Sequence, residues 1–340
     1  MERFDYTRAE SVETASRNAA MSADAGASPV MAATQYIAGG TNMTDYMKLG
    51  VMRPTRLVDL NPLALQGMAR IEAGPHGLRL GALVRMAEAQ DHAAIRRDYP
   101  VLAQSLMLAA SQQIRNMASL GGNVLQRTRC EYFRETSWPC NKRDPGSGCA
   151  AMDGVNRQHA VLGTSDACIA TYHGDFAQAL IALDAAVDVT GPAGRRTLPF
   201  AALHRQPGDS PHVETVLAPG DVITAITVPA GSWTRRSRYV KVRDRDSYAF
   251  ALASAAVALD LDGDTVRHAR IGLGGVATVP WRAREAESAL EGRRLDEAVA
   301  REAARLAFAG ARAREHNAYK ISLGQRTLVR ALLETRDMEV

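Results

Sequence analysis

All four cysteines of this 340-residue chain, Cys130, Cys140, Cys149 and Cys168, are bunched in one short segment. Such bunching is far from a random scatter, so four ordinary core cysteines are a poor account of it. Any fold the chain adopts must gather that segment. Two disulfides would staple a chain that, at 46% hydrophobic residues, has a large core and little need of staples. A structural zinc site usually shows two tight C-x2–4-C pairs, whereas the intervals here are nine, eight and eighteen residues. An iron–sulfur cluster needs four thiolates converging from a loop and is looser about spacing. Nearby Arg127, Arg129, Arg134, Lys142 and Arg143 would offset the charge of such a cluster, and Tyr132, Phe133 and Trp138 would shield it from water. The residues favour a cluster over zinc and leave both open.

The rest of the composition is that of a folded protein, since the apolar mass suffices to offset chain entropy. Two or three domains are expected at this length. The 41 basic residues are spread along the chain against 37 acidic ones; a surplus of +4 bears on solubility and predicts no nucleic-acid partner. Only four residues are lysines (Lys48, Lys142, Lys241 and Lys320), so the place of each is informative. The longest uncharged apolar run, Phe250 to Leu259, is far short of the ~20 residues of a membrane span. Met1-Glu2-Arg3-Phe4 opens the chain without a basic or an apolar signal region, and no export signal of its own is expected.

The patterning predicts an α+β fold with strands and helices segregated. A short strand at Phe4 to Tyr6 precedes a helix capped by Ser11 and running to Met21. Tyr36-Ile37-Ala38 reads as a strand entering Gly39-Gly40-Thr41-Asn42, with a helix from about Thr44. Leu57-Val58-Asp59 is a strand, and residues 69–83 a hairpin turning at Pro75-His76-Gly77. Val101, Leu102, Leu106 and Ala109 share one helical face. Ser119-Leu120-Gly121-Gly122-Asn123 reads as a loop, and residues 126–169 as an irregular polar insertion of the kind that is usually functional. Asp175 caps a helix over 176–184; strands at 186–190, 195–198 and 222–228 follow, with a connecting loop at 205–220. Strands 250–260 and 266–275 pair across Asp262-Gly263-Asp264, and helices near 281–291, 295–313 and 318–335 finish the chain. The expected domains are 1–60, 61–230 including the insertion, and 231–340.

Three glycine strings bear on nucleotide binding. Gly272-Leu273-Gly274-Gly275-Val276-Ala277 matches G-x-G-x-x-A after a strand, but Pro280 follows and there is no βαβ unit. It reads as a tight strand end beside a packed helix. Ile37-Ala38-Gly39-Gly40-Thr41-Asn42-Met43 is the better phosphate site, because glycines let backbone N–H groups approach a pyrophosphate at a helix start. Gly121-Gly122-Asn123 offers bare backbone to a planar ring. Two such loops in one chain suggest a dinucleotide spanning two subdomains.

Four motifs, in this order and spacing, resemble the FAD-binding subunit or domain of the xanthine oxidase family of molybdenum hydroxylases. They are Ala38-Gly39-Gly40-Thr41-Asn42; Ile114-Arg115-Asn116 with Ser119-Leu120-Gly121-Gly122-Asn123; Tyr239-Val240-Lys241-Val242-Arg243 with Ser247-Tyr248; and Gly274-Gly275-Val276-Ala277 with Pro280-Trp281-Arg282. The resemblance spans essentially the whole chain. It implies a two-subdomain FAD-binding fold of the PCMH/vanillyl-alcohol-oxidase-like type, then a small C-terminal domain of antiparallel sheet plus helices. It further implies that Tyr36, Ile37, Ala38, Gly39, Gly40, Thr41, Asn42 and Met43 cradle the FAD pyrophosphate, and that Ser119, Gly122 and Asn123 lie against the flavin. Asp175 would contact FAD, with Gly174 where the family usually has Ser. Ile223 would pack on the flavin, and Lys241 would stand by the isoalloxazine, where a cation stabilises the reduced ring.

The segment at 126–169 resembles the iron–sulfur insertion of two branches, the three-subunit bacterial aldehyde oxidoreductases and the hydroxybenzoyl-CoA reductases. Arg127-Thr128-Arg129-Cys130, Pro139-Cys140-Asn141-Lys142-Arg143, Pro145-Gly146-Ser147-Gly148-Cys149 and Ala167-Cys168-Ile169-Ala170 look closest to the first. This implies one [4Fe-4S] cluster on Cys130, Cys140, Cys149 and Cys168. The implied protein is an electron-transfer subunit with no substrate chemistry of its own. A large molybdenum-cofactor subunit would oxidise aldehyde to carboxylic acid, and a small subunit with two [2Fe-2S] centres would pass electrons through FAD to an external acceptor. Two other readings are the β subunit of a hydroxybenzoyl-CoA-reductase-like enzyme and, in a different class, a non-enzymatic scaffold with a four-cysteine zinc loop. The expected location is cytoplasmic, or periplasmic by co-export with a signal-bearing partner.

Overall fold

Residues 1–20 and 28–340 are described by the computed structural model, and their strands form three separate sheets. β1 (Asp5–Arg8), β2 (Thr34–Ile37) and β3 (Arg56–Asp59) lie in the order β1-β3-β2, with β3 parallel to both neighbours. Parallel strands need crossovers, and the helices Val12–Ala20 and Met43–Lys48 occupy the two connections. Ser11 caps the first by accepting the Thr14 N–H at 3.1 Å. The expected end of that helix, Met21, lies outside the described residues.

The expected hairpin forms from β4 (Ile71–Gly74) and β5 (Gly77–Gly81). With β6 (Ala186–Gly191), β7 (Gly194–Pro199) and β8 (Val222–Pro229) it builds an antiparallel sheet in the order β4-β5-β8-β6-β7. β8 takes the centre, which is why Val222, Ile223, Ala225, Ile226 and Val228 are all buried. Val101, Leu102, Leu106 and Ala109 share one core with this sheet and with the wholly buried helix Phe176–Ala182.

β9 (Ser237–Val242), β10 (Ala253–Asp262), β11 (Thr265–Gly274) and β12 (Trp281–Arg282) form the C-terminal antiparallel sheet, in the order β12-β11-β10-β9. β10 lacks the usual polar–apolar alternation because both its faces are buried. Ala253, Ala255, Val257 and Leu259 enter the C-terminal core, whereas Ala256 and Ala258 enter the core of the preceding sheets. The strand is a wall shared by two cores. Gly272 serves the same close packing: a Cβ there would stand 2.2 Å from the Gln178 carbonyl oxygen of helix Phe176–Ala182. The G-x-G string is thus a strand end beside a packed helix. The helix expected from 281 begins only at Arg284, because Trp281 and Arg282 extend the sheet by pairing with Leu273 and Gly272. Among the described residues no helix is long and apolar enough to cross a membrane.

Candidate functional site

A cavity of about 930 Å³ opens between β2, β8 and the cysteine segment, at the large end of the range for small-molecule and cofactor sites. Two of the glycine strings meet on its wall. Gly39 packs so tightly on Met117 that a Cβ would lie 2.0 Å from the Met117 carbonyl oxygen. Gly40 takes φ +74°, a conformation that costs glycine nothing. Asn42 Nδ2 donates to the Gly122 carbonyl at 3.3 Å and ties the two segments together. The second of them is not a loop, as its sequence suggested. Leu120–Val124 is a short helix, and Ser119 Oγ caps it by accepting the Gly122 N–H at 3.3 Å. Asn123 Oδ1 is buried without a partner among the described residues, so it can accept from a ligand N–H or O–H.

Tyr36, Ile37, Ala38, Gly39, Gly40, Thr41, Asn42, Met43, Ser119, Gly122, Asn123, Asp175 and Ile223 all line this cavity; Lys241 does not. Lys241 is 1% exposed at its side chain and donates to Asp175 Oδ2 at 2.8 Å and to the Leu108 carbonyl at 2.9 Å. The other oxygen, Asp175 Oδ1, accepts the Tyr239 hydroxyl at 2.7 Å. The carboxylate therefore makes no cap hydrogen bond to helix Phe176–Ala182, contrary to expectation. Burial, then the nearby Asp175 charge, push the Tyr239 phenol well up, which keeps it a donor. Tyr239 was recoverable from the sequence: residues two apart on a strand share a face, so whatever meets Lys241 also meets Tyr239.

Cys130, Cys140 and Cys168 are buried and Cys149 half-buried, all four are free, and all belong to one apolar cluster with Tyr46 and Phe133. An isolated antiparallel bridge pairs Cys140 with Cys149. Burial pushes the Cys130 thiol up to about 12 and the Cys168 thiol up to about 11, the latter despite the opposing Lys142 charge. Among the described residues no three Cys, His, Asp or Glu side chains are grouped so as to hold a metal ion. His159, which the sequence did not single out, brings Nε2 to 3.2 Å from Cys130 Sγ.

The basic residues of the segment have other partners than expected. Arg129 and Arg134 donate to Asp45 at 2.7 and 2.6 Å, and Arg127 and Lys142 pair with Glu214. Arg143 instead gathers the carbonyls of Tyr132, Phe133 and Trp138. Of the three aromatics, Phe133 is buried and Trp138 is 51% exposed. Asp45 and Glu214 both lie outside the insertion, so these pairs fasten it to the rest of the chain. Burial alone would raise the Glu214 carboxyl, but Lys142 and Arg127 overcome it and hold the group below the usual carboxylate range. The stabilisation is present above that range and lost as pH falls through the lowered value. Stability to urea is therefore expected to fall more steeply on acidification in the wild type than in Glu214→Gln, and equal slopes would refute the coupling.

Residues 2–231 match the family model for the FAD-binding domain in molybdopterin dehydrogenase, and residues 238–335 that for the CO dehydrogenase flavoprotein C-terminal domain. The chain is 44% identical over 303 residues to the aldehyde oxidoreductase FAD-binding subunit PaoB of Escherichia coli, covering 89% of this chain and 91% of that one. It is 27% identical over 278 residues to the carbon monoxide dehydrogenase medium chain of Afipia carboxidovorans, covering 80% and 77%. A chain of the carbon monoxide dehydrogenase of Hydrogenophaga pseudoflava shares the fold with a TM-score of 0.74 at 24% identity, over 98% of this chain and 96% of that one. With the FAD-binding model matched over residues 2–231 and the E. coli relative covered almost throughout, the chain belongs to the FAD-binding subunits of the molybdopterin dehydrogenases.

Proposed function

We propose that this chain is the electron-transfer subunit, carrying FAD and one [4Fe-4S] cluster, of a molybdenum-dependent aldehyde oxidoreductase. Aldehyde as substrate follows the E. coli relative, whose name states that activity. The substrate chemistry then belongs to a large molybdenum-cofactor subunit, and a small subunit with two [2Fe-2S] centres and an external acceptor complete the chain of carriers. The observation that carries the reading is the contact between the two candidate sites. Arg129, the neighbour of Cys130, lines the cavity and donates Nη2 to Asn42 Oδ1 of the glycine loop at 2.7 Å.

The chain offers donors for both groups. Residues 36–43 offer bare backbone for a pyrophosphate, and Asn123 Oδ1 waits for a donor. Three buried free thiols and the half-buried Cys149 share one apolar cluster, and the Ala170 N–H donates to Cys168 Sγ at 3.4 Å, a type of contact that tunes cluster sulfurs. Tetrahedral zinc needs four sulfurs at about 2.3 Å from one point; each thiolate of a [4Fe-4S] cluster binds a different iron, so wider separation suits it. When bound, FAD supplies exchange between one- and two-electron carriers, and the cluster supplies one-electron exchange. The protein's part is to hold both groups, to exclude water with Phe133 and Tyr46, and to set Lys142 by Cys168 as countercharge.

The test is anaerobic purification with the partner subunits. About one FAD and about four each of iron and acid-labile sulfide per chain are expected, with FAD reduced on adding aldehyde. Cys140→Ser is expected to lose iron and sulfide and to make residues 126–169 protease-sensitive. Stoichiometric zinc, two disulfides by mass spectrometry, or a preference for aryl-CoA over aldehyde would overturn the reading.

A further inference from the structure

His173 stands two residues before Asp175, where nothing in the sequence marked it. It is 7% exposed yet lines the cavity. Its Nδ1 accepts the Arg129 backbone N–H at 3.3 Å, and its ring meets Phe250 edge-on, 4.9 Å between centroids. Phe250 also lines the cavity and carries the Arg129 guanidinium 5.7 Å from its ring centre. The imidazole is thus fixed from two sides.

That geometry decides the tautomer. Nδ1 faces an N–H donor, so it must offer its lone pair, and the ring proton resides on Nε2. Nε2 has no acceptor among the described residues, nor is it among the fully enclosed polar atoms that lack a partner, so it opens on the cavity. A fixed donor that opens on the cavity is free to meet an acceptor on a ligand bound there. The pyrophosphate has its own cradle at residues 36–43. His173 instead belongs to the segment that delivers Asp175, with Lys241 and Tyr239 behind it.

We propose that His173 donates its Nε2–H to an acceptor atom of the FAD isoalloxazine ring and thereby favours the reduced, more electron-rich ring. The inference rests on the placement of FAD in this cavity. A donor aimed at atoms that gain negative charge on reduction stabilises the reduced state more than the oxidised one. The same imidazole accepts the N–H of Arg129, the residue before Cys130, and so ties its own segment to the cysteine segment.

The test compares His173→Leu, which removes the donor, with His173→Gln, whose amide N–H reaches to about the same place. FAD content, iron content and flavin midpoint potential are measured on the purified complex. His173→Leu is expected to keep its FAD and iron while the reduction equilibrium falls about tenfold, about 30 mV for a two-electron couple. His173→Gln should stay within about threefold of wild type, about 15 mV. Unchanged potentials in His173→Leu, or equal shifts in both variants, would overturn the assignment. If His173→Leu loses FAD, His173→Gln decides: a near-wild-type potential supports the contact, and loss of FAD there too refutes it. Wild-type protein free of FAD would refute the cavity assignment itself, a failure distinct from that of His173.

Discussion

Lys241→Met is expected to lower the free energy of unfolding by about 3–5 kcal/mol, the range for stripping one partner from a buried ion pair. Among the described residues its ammonium is the only cation on Asp175, whose side chain would be left with the Tyr239 hydroxyl in a buried setting. The methionine stem fills most of the lysine's volume, so the loss reports charge rather than packing. Urea unfolding followed by circular dichroism measures it, with flavin release as a second probe because several cores need not unfold together. Adding Asp175→Asn should restore part of the loss, since the uncompensated charge is then gone. A single variant within about 1 kcal/mol of wild type would show that water reaches the pair. Any redox effect of Lys241 on FAD would pass through Asp175, the member of the pair that faces the cavity.

Gly39→Val should cost FAD binding about 10- to 100-fold. Overpacking typically costs about 1–3 kcal/mol, and each 1.4 kcal/mol is about tenfold in affinity. Here the obstruction is the Met117 backbone carbonyl, 2.0 Å from where Cβ must go, and not the end of a side chain that can swing aside. The glycine loop would lift from residues 117–118 and break the Asn42–Gly122 contact that closes the cavity wall. Calorimetric titration of the FAD-free variant checks this. Gly310→Ala is the control, because its Cβ would meet nothing within 4 Å. Equal affinity in Gly39→Val and wild type would place the pyrophosphate elsewhere.

What the sequence made legible was local. Gly39 and Gly40 stand out because close approach and positive φ leave a mark at the residue concerned. The glycine string of β11 could be set aside by its context alone. Asp45 and Glu214 left no such mark: their cations lie 84 to 89 and 72 to 87 positions away, beyond any periodic pattern. The short helix Leu120–Val124 was hidden by its two glycines, which lower helix propensity; the Ser119 cap and tertiary packing outweigh them. β10 kept no alternation to read, because its two faces serve two different cores. His173 is the plainest case, since a lone histidine acquires meaning only from what its two nitrogens meet in space.

Both cations on Asp45, Arg129 and Arg134, come from the inserted segment, while Asp45 itself belongs to the helix that follows the glycine loop. Delete the segment and an unpaired aspartate remains on the wall of the cavity proposed for FAD, where its negative charge would oppose a pyrophosphate. The acidic residue and the insertion are therefore expected to be gained or lost together. Homologues without the four cysteines are expected to carry a neutral or basic residue at the position of Asp45. A transplant of residues 126–169 into such a homologue should take only when the aspartate travels with it.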